Sequence, residues 1–143
     1  MLNLPANEMA FRKAYSDLLK QEKITTVFRP GDRDCGKTRG YCPSDIVNAK
    51  ILEKVGADWA MIPPKFIDGF SKTIVIKTVE VKRLGSLTKK DFEGSSPDVL
   101  DIDSLKYQLG LIYNIDITEF NDDSLVTRIT FEYKSKIIWV YFY

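Results

Sequence analysis

Between Lys72 and Leu84 (KTIVIKTVEVKRL) apolar and polar residues alternate with a period of two, Ile74 and Ile76 on one face and then, after a change of parity, Val79 and Val81. This alternation predicts the clearest strand in the chain, and the parity change near Thr78 predicts a bulge or bend within it. Ile24–Arg29 (ITTVFR) is β-branched and aromatic over a strand's length, and Pro30-Gly31 stops it. Asp45–Val55 (DIVNAKILEKV) satisfies helical spacing as well as alternation, and the strand reading rests on Val47, Ala49 and Ile51. Ser124–Tyr133 and Lys136–Tyr143 predict a hairpin that turns near Lys134-Ser135. In its second arm Ile138, Val140 and Phe142 alternate with Trp139, Tyr141 and Tyr143, which suits a strand covered on both faces.

Helical spacing holds elsewhere. Met9, Phe11, Ala14, Tyr15, Leu18 and Leu19 predict a helix over Ala6–Gln21, with Pro5 near its start. Ile102, Leu105, Leu109 and Ile112 form one stripe and predict a second over Ile102–Tyr113. Leu87–Glu93 predicts a short helix opened by Ser86 or Thr88. Pro30–Ser44 (PGDRDCGKTRGYCPS), rich in Gly, Pro and charge, predicts a long loop, and such loops in compact domains usually carry function.

About five strands, mostly antiparallel, with helices set between them rather than in strict βαβ alternation, predict an α+β fold. Closing a short sheet into a small β-barrel would remove its edges. A length of 143 residues with 44% hydrophobic content supports one core, so the expectation is a single domain over residues 1–143 with a basic loop at 30–44. No internal repeat or low-complexity tract interrupts it.

Composition narrows the chemistry. There is no histidine, and only Cys35 and Cys42 carry thiols, so neither a Cys/His zinc site nor a histidine-dependent nucleophile can be assembled. No metal and no cofactor is expected. A Cys35–Cys42 disulfide is sterically feasible but isolated, and the expectation is that the thiols stay free. No run approaches the roughly 18 apolar residues of a membrane span, and the first residues lack a signal-peptide pattern, which predicts a cytoplasmic protein without a membrane partner. The net charge of +1 gives no bulk attraction to nucleic acid. Two local clusters remain: Arg29, Arg33, Lys37 and Arg39 in the loop, and Lys77, Lys82, Arg83, Lys89 and Lys90 further on. Solvated surface charge is the plain reading of both, and a phosphate-facing surface the sharper one.

Gly31–Thr38 (GDRDCGKT) satisfies the GxxxxGK[ST] pattern of a phosphate-binding loop after a predicted strand. A true P-loop runs straight into a helix, whereas here Arg39-Gly40-Tyr41-Cys42-Pro43 places Gly and Pro in what would be its first turn. The match is therefore read as coincidence. The run QEKITTVFRPGDR after an amphipathic segment, the long strand, then LTKKDFEG, a further helix and a closing hairpin resemble the ASCH domains of the PUA-like superfamily. That resemblance covers most of the chain in order and implies a PUA-like, mostly antiparallel small β-barrel with flanking helices.

ASCH proteins that deacetylate N4-acetylcytidine line one pocket with a Lys-x-x-Thr and a Glu, and the resemblance carries those roles to Lys23, Thr26 and Glu93. In such a pocket a desolvated lysine takes the threonine proton and the glutamate passes a proton to the leaving amine. The plain alternative is a Lys23–Glu93 salt bridge beside a strand threonine. Arg29, Arg33, Lys37 and Arg39, with Tyr41 beside them, fit a grip on RNA, since cations hold phosphates and an aromatic ring stacks an unpaired base. Trp59, Phe66 and Phe70 either rim a pocket or anchor loops in the core. Three functions follow: a module that binds RNA or a modified nucleoside, a hydrolase acting on acylated cytidine or as a metal-independent ribonuclease, and a protein-interaction or inhibitor domain of a mobile element.

Overall fold

Five strands build one mixed sheet in the computed structural model, which describes residues 8–53, 65–113 and 115–134. They are β1 (Glu8–Phe11), β2 (Thr26–Pro30), β3 (Ile46–Ile51), β4 (Lys72–Arg83) and β5 (Leu125–Tyr133), with helices α1 (Ser16–Lys20) and α2 (Ile102–Tyr113). The spatial order is β1-β3-β4-β5-β2; β1 runs parallel to β3 and the other neighbours are antiparallel. The fold is α+β. The two edges, β1 and β2, are not paired with each other among the described residues, so the expected barrel is not closed by strand pairing. A side chain spans the seam instead: the Arg29 guanidinium donates to the Ala10 carbonyl at 2.9 Å.

Local chemistry explains most of these elements. β4 carries its register shift between Ile76 and Thr78, where the parity of its apolar residues changes. Helix α2 begins where expected because Asp101 caps it. Its carboxylate accepts from the Ser104 N–H at 2.8 Å while the Ser104 hydroxyl takes the Asp101 N–H, holding the exposed Asp101 carboxyl below its ordinary value. The segment opened by Thr88 forms a short 3-10 helix, Lys89–Phe92, closed by a capping box with Asp91.

One expectation fails. The helix predicted over Ala6–Gln21 is helical only in its second half, because Glu8–Phe11 pairs with Asn48–Ile51 as an edge strand. Met9 and Phe11 are buried on a period of two while Glu8 and Ala10 are only partly covered, so pairing with a remote strand overrides a helical spacing that fitted equally well. The second arm of the predicted hairpin, Lys136–Tyr143, lies outside the described residues.

The sheet separates two hydrophobic clusters. Val27, Ile129 and Phe131 join Met9, Phe11, Ile51, Ile74 and Ile76 on the inner face. Phe28 and Val126, of opposite parity, join Leu84, Phe92, Val99, Leu105 and Leu109 beneath α2. Phe70 is buried in the first cluster, so it is a core anchor, Phe66 is partly covered, and Trp59 lies outside the described residues.

An ion network fixes the turn that follows β4. Lys82 donates to Asp91 at 2.7 Å, Arg128 donates to the Asp91 carbonyl at 2.7 Å and to Glu80 at 3.1 Å, and Asp91 also accepts from Thr88. Burial pushes the Asp91 carboxyl up, but hydrogen bonds from Lys82 and Thr88 pull harder and leave it below its ordinary value. A depressed folded pKa means the stabilisation is complete above the unfolded value near pH 4 and is lost as pH falls through the folded value. Asp91→Ala is therefore expected to cost about 2 kcal/mol at pH 7, since it takes the 2.7 Å carboxylate partner from Lys82 and uncaps the turn, while Arg128 keeps the backbone carbonyl and Glu80. In urea titrations at pH 7 and pH 3 the gap between wild type and variant should shrink at the lower pH; an unchanged gap would remove the ionic explanation.

Candidate functional site

The open seam between β1 and β2 leads into a cavity of about 410 Å3, walled by those strands, the loop after β2, Ser95, Ser96 and Val99, and one face of α2. β2 is an edge strand, so residues of both parities reach it: Val27 and Arg29 from the inner face, Thr26 and Phe28 from the outer. Arg12, Arg29, Arg33, Lys37 and Arg39 line the cavity, and among the described residues no aspartate or glutamate does.

Arg33 holds the start of the loop. Its N–H donates to the Thr127 hydroxyl at 2.8 Å, which in turn donates to the Gly31 carbonyl at 2.7 Å, and its carbonyl accepts from the Tyr41 N–H at 3.1 Å. The guanidinium lies 5.6 Å from the centre of the Tyr113 ring. Burial lowers its pKa, as do the neighbouring cations Arg29 and Arg39, while Tyr113 and Tyr41 act the other way. Arg39 sits in the left-handed region, at φ 57°. A non-glycine residue there is strained by on the order of 1 kcal/mol, of a kind that concentrates at functional sites. Gly40 follows because a Cβ there would collide with the Asp34 carbonyl and lie 2.9 Å from that of Lys37.

Tyr41 crosses from the loop to β1, donating to the Glu8 carbonyl at 3.0 Å; burial raises its pKa and the arginines pull it down. Cys35 and Cys42 form a disulfide, with Cα atoms 4.5 Å apart, contrary to the expectation of free thiols. Sequence separation alone carried no information on how tightly the loop folds back; the Tyr41–Arg33 and Gly40–Lys37 hydrogen bonds bring the two cysteines together. The ring so closed contains Lys37 and Arg39. No helix follows Thr38, and Lys37 pairs with Asp32 at 3.7 Å, so the P-loop pattern is coincidental as expected.

The residues assigned by resemblance are placed less compactly. Thr26 lines the cavity and its hydroxyl donates to the Glu93 carbonyl at 2.7 Å. Lys23 and the Glu93 side chain are exposed and do not line it, and they form no ion pair with each other. Gly94, at φ 81°, lies so near β2 that a Cβ would press on the Thr25 and Thr26 hydroxyls, and its carbonyl accepts both their N–H groups. The Glu93-Gly94 turn thus positions Ser95 and Ser96 in the cavity wall.

Sequence reading missed Arg12, Gln108 and Tyr113. Arg12 meets Gln108 through a side-chain hydrogen bond and faces Asp98 at 3.9 Å. One signal was available: Gln108 is a polar residue on the apolar stripe of α2, between Leu105 and Ile112.

Fold and site together define an α+β protein with an arginine-rich cavity at the open seam of a five-stranded mixed sheet. No family model matches the chain, and no curated protein matches it. A solved structure of protein EF3133 from Enterococcus faecalis V583, described under the family model DUF984, aligns at a TM-score of 0.46 and 12% identity, covering 84% of this chain and 69% of that one. A likeness at that level fixes neither fold nor function here. Among the described residues no cluster of potential metal ligands occurs, and no helix is long and apolar enough to cross a membrane.

Proposed function

We propose that this protein is a binding module for RNA or a modified nucleoside, of PUA-like, ASCH type, with the cavity as its site. The observation that supports it is that, among the described residues, the lining holds five cations and several aromatic rings and no carboxylate. Cations hold phosphates, and rings stack unpaired bases in a sequence-tolerant way. Binding is favoured over hydrolysis because, among the described residues, no carboxylate lines the cavity, Lys23 and Glu93 are exposed away from it, the Thr26 proton is committed to a carbonyl, and the Tyr41 hydroxyl is shifted up. Barrel-like closure of the sheet and a cytoplasmic location belong to the same proposal. The Cys35–Cys42 disulfide, of a kind that persists in oxidising surroundings, pulls against that location.

The test is fluorescence anisotropy of a short labelled single-stranded RNA titrated with the protein at several salt concentrations. With three phosphates held, log K should fall against log salt with a slope of about −2. A flat salt response, or no binding at high protein concentration, would discard the reading.

A further inference from the structure

The cavity carries unbalanced charge at one end and unanswered hydrogen-bonding groups at the other. At the loop end Arg29, Arg33 and Arg39 gather beside Tyr41 and Tyr113, and among the described residues none of the three has a carboxylate within ion-pair distance. Arg12 and Lys37 differ, being answered by Asp98 and Asp32. At the other end, Arg12 Nε and Ser95 Oγ are the buried side-chain polar atoms without a partner among the described residues, and both residues line this cavity. Buried polar groups are almost always paired, so two orphans on the same cavity point to a ligand that pairs them. Gln108 lies beside them with its carbonyl oxygen taken by Arg12, which leaves its amide N–H groups to donate elsewhere.

Helix α2 links the two ends. Gln108 and Tyr113 are separated by about 7.5 Å along the axis at 1.5 Å per residue, and both line the cavity. A ligand that suits both ends has a multiply charged anion at one extremity and a flat ring with hydrogen-bonding edges at the other. A nucleotide has that span between its phosphate and the edge of its base. A terminal phosphomonoester, close to a dianion at neutral pH, also suits a cluster of three arginines better than an internal phosphodiester, which carries one charge.

We propose that the cavity binds a nucleotide by its terminal phosphomonoester, with Arg29, Arg33 and Arg39 on the phosphate and Arg12, Ser95 and Gln108 on the edge of the base. This rests on the binding function proposed above and specifies its ligand. The phosphomonoester belongs either to a free nucleoside monophosphate or to the 5′ end of an RNA. A neutral nucleoside leaves the arginine cluster unneutralised and binds weakly.

The experiment is isothermal titration calorimetry of the full chain. The probes are the four ribonucleoside 5′-monophosphates, the matching nucleosides, inorganic phosphate, and an RNA hexamer with and without a 5′-phosphate. At least one monophosphate, or the phosphorylated hexamer, should bind 30-fold or more tighter than its unphosphorylated counterpart. Arg33→Gln, or Arg39→Gln should the first fail to fold, reduces that preference to a few-fold. Gln108→Ala weakens nucleotide binding and leaves the affinity for inorganic phosphate unchanged. The tighter of monophosphate and phosphorylated hexamer identifies the source. Nucleoside and nucleotide binding equally, or both hexamers binding equally while monophosphates do not bind, would overturn the phosphomonoester assignment and leave the binding function standing. Inorganic phosphate matching the best nucleotide would overturn the base-edge contacts, and failure of every probe would overturn both readings.

Discussion

An Arg33→Glu variant is expected to bind single-stranded RNA about 100-fold more weakly than wild type, a loss of roughly 2.8 kcal/mol. Charge-assisted hydrogen bonds are worth about 1.5–3 kcal/mol each, and the new carboxylate also repels the phosphate. The variant has a second signature that separates a binding role from a structural one. Without ligand, the Arg33 charge is disfavoured by burial and opposed by Arg29 and Arg39. Arg33→Gln should therefore melt no lower than wild type, and Arg33→Glu, which meets two arginines with the opposite charge, should melt higher. Stability gained where affinity is lost marks a group held in an unfavourable place for its ligand. Anisotropy and differential scanning calorimetry on the same preparations read both effects. A melting temperature several degrees lower in both variants would make Arg33 a packing residue whose aliphatic stem and contact with Tyr113 are what matter.

Phe131→Ala should produce the largest loss of stability, about 4 kcal/mol. Phe131 is 1% exposed on β5, which is paired on both sides, and its ring meets Phe11 edge-on at 6.2 Å and Tyr133 at 5.6 Å. Ile76 stands opposite it on β4, and the Phe131 N–H is held by the Thr25 carbonyl just before β2. The backbone is pinned on both sides, so the site cannot collapse far around the missing ring, and the cavity contribution adds to the lost transfer energy. Guanidinium unfolding of the purified variant measures it; a loss under about 2 kcal/mol would mean that the inner face repacks freely. The functional site should feel the change as well. Phe11 packs on Phe131, lines the cavity and carries the Arg29 guanidinium 5.7 Å from its ring centre, so RNA affinity should fall several-fold even where the variant is fully folded.

Much of the fold was legible because it rests on local rules. Helix α2 runs Ile102–Tyr113 as its stripe and Asp101 cap dictate, and the β4 bulge falls at the change of parity. The strand reading of Asp45–Val55 holds over Ile46–Ile51. Of the site, the four loop and strand cations and Tyr41 were legible as a group because they lie close in sequence, and all of them line the cavity. Arg12 and Gln108 were not. They are 96 residues apart, and no local pattern encodes their meeting. The roles given to Lys23 and Glu93 came from resemblance, and both side chains are exposed: Lys23 lies in the turn after α1, its N–H bonded to the Leu18 carbonyl, and the Glu93-Gly94 turn docks on β2 through its backbone.

By itself the sequence determined the α+β class, the boundaries of its best-patterned elements, the absence of histidine chemistry and the concentration of arginine in one loop. Those depend on period, capping and composition, which act over a few residues. Only the tertiary structure decided that Glu8–Phe11 is an edge strand and not a helical turn, since a pattern satisfying both periods takes the one whose partner strand is available. It also decided that the edges of the sheet meet through Arg29, that Cys35 and Cys42 are joined, and that the loop arginines share a cavity with two unpaired polar atoms from elsewhere in the chain. Each of these is a contact between distant segments, fixed by the packing of the whole chain and by no residue's neighbours in sequence.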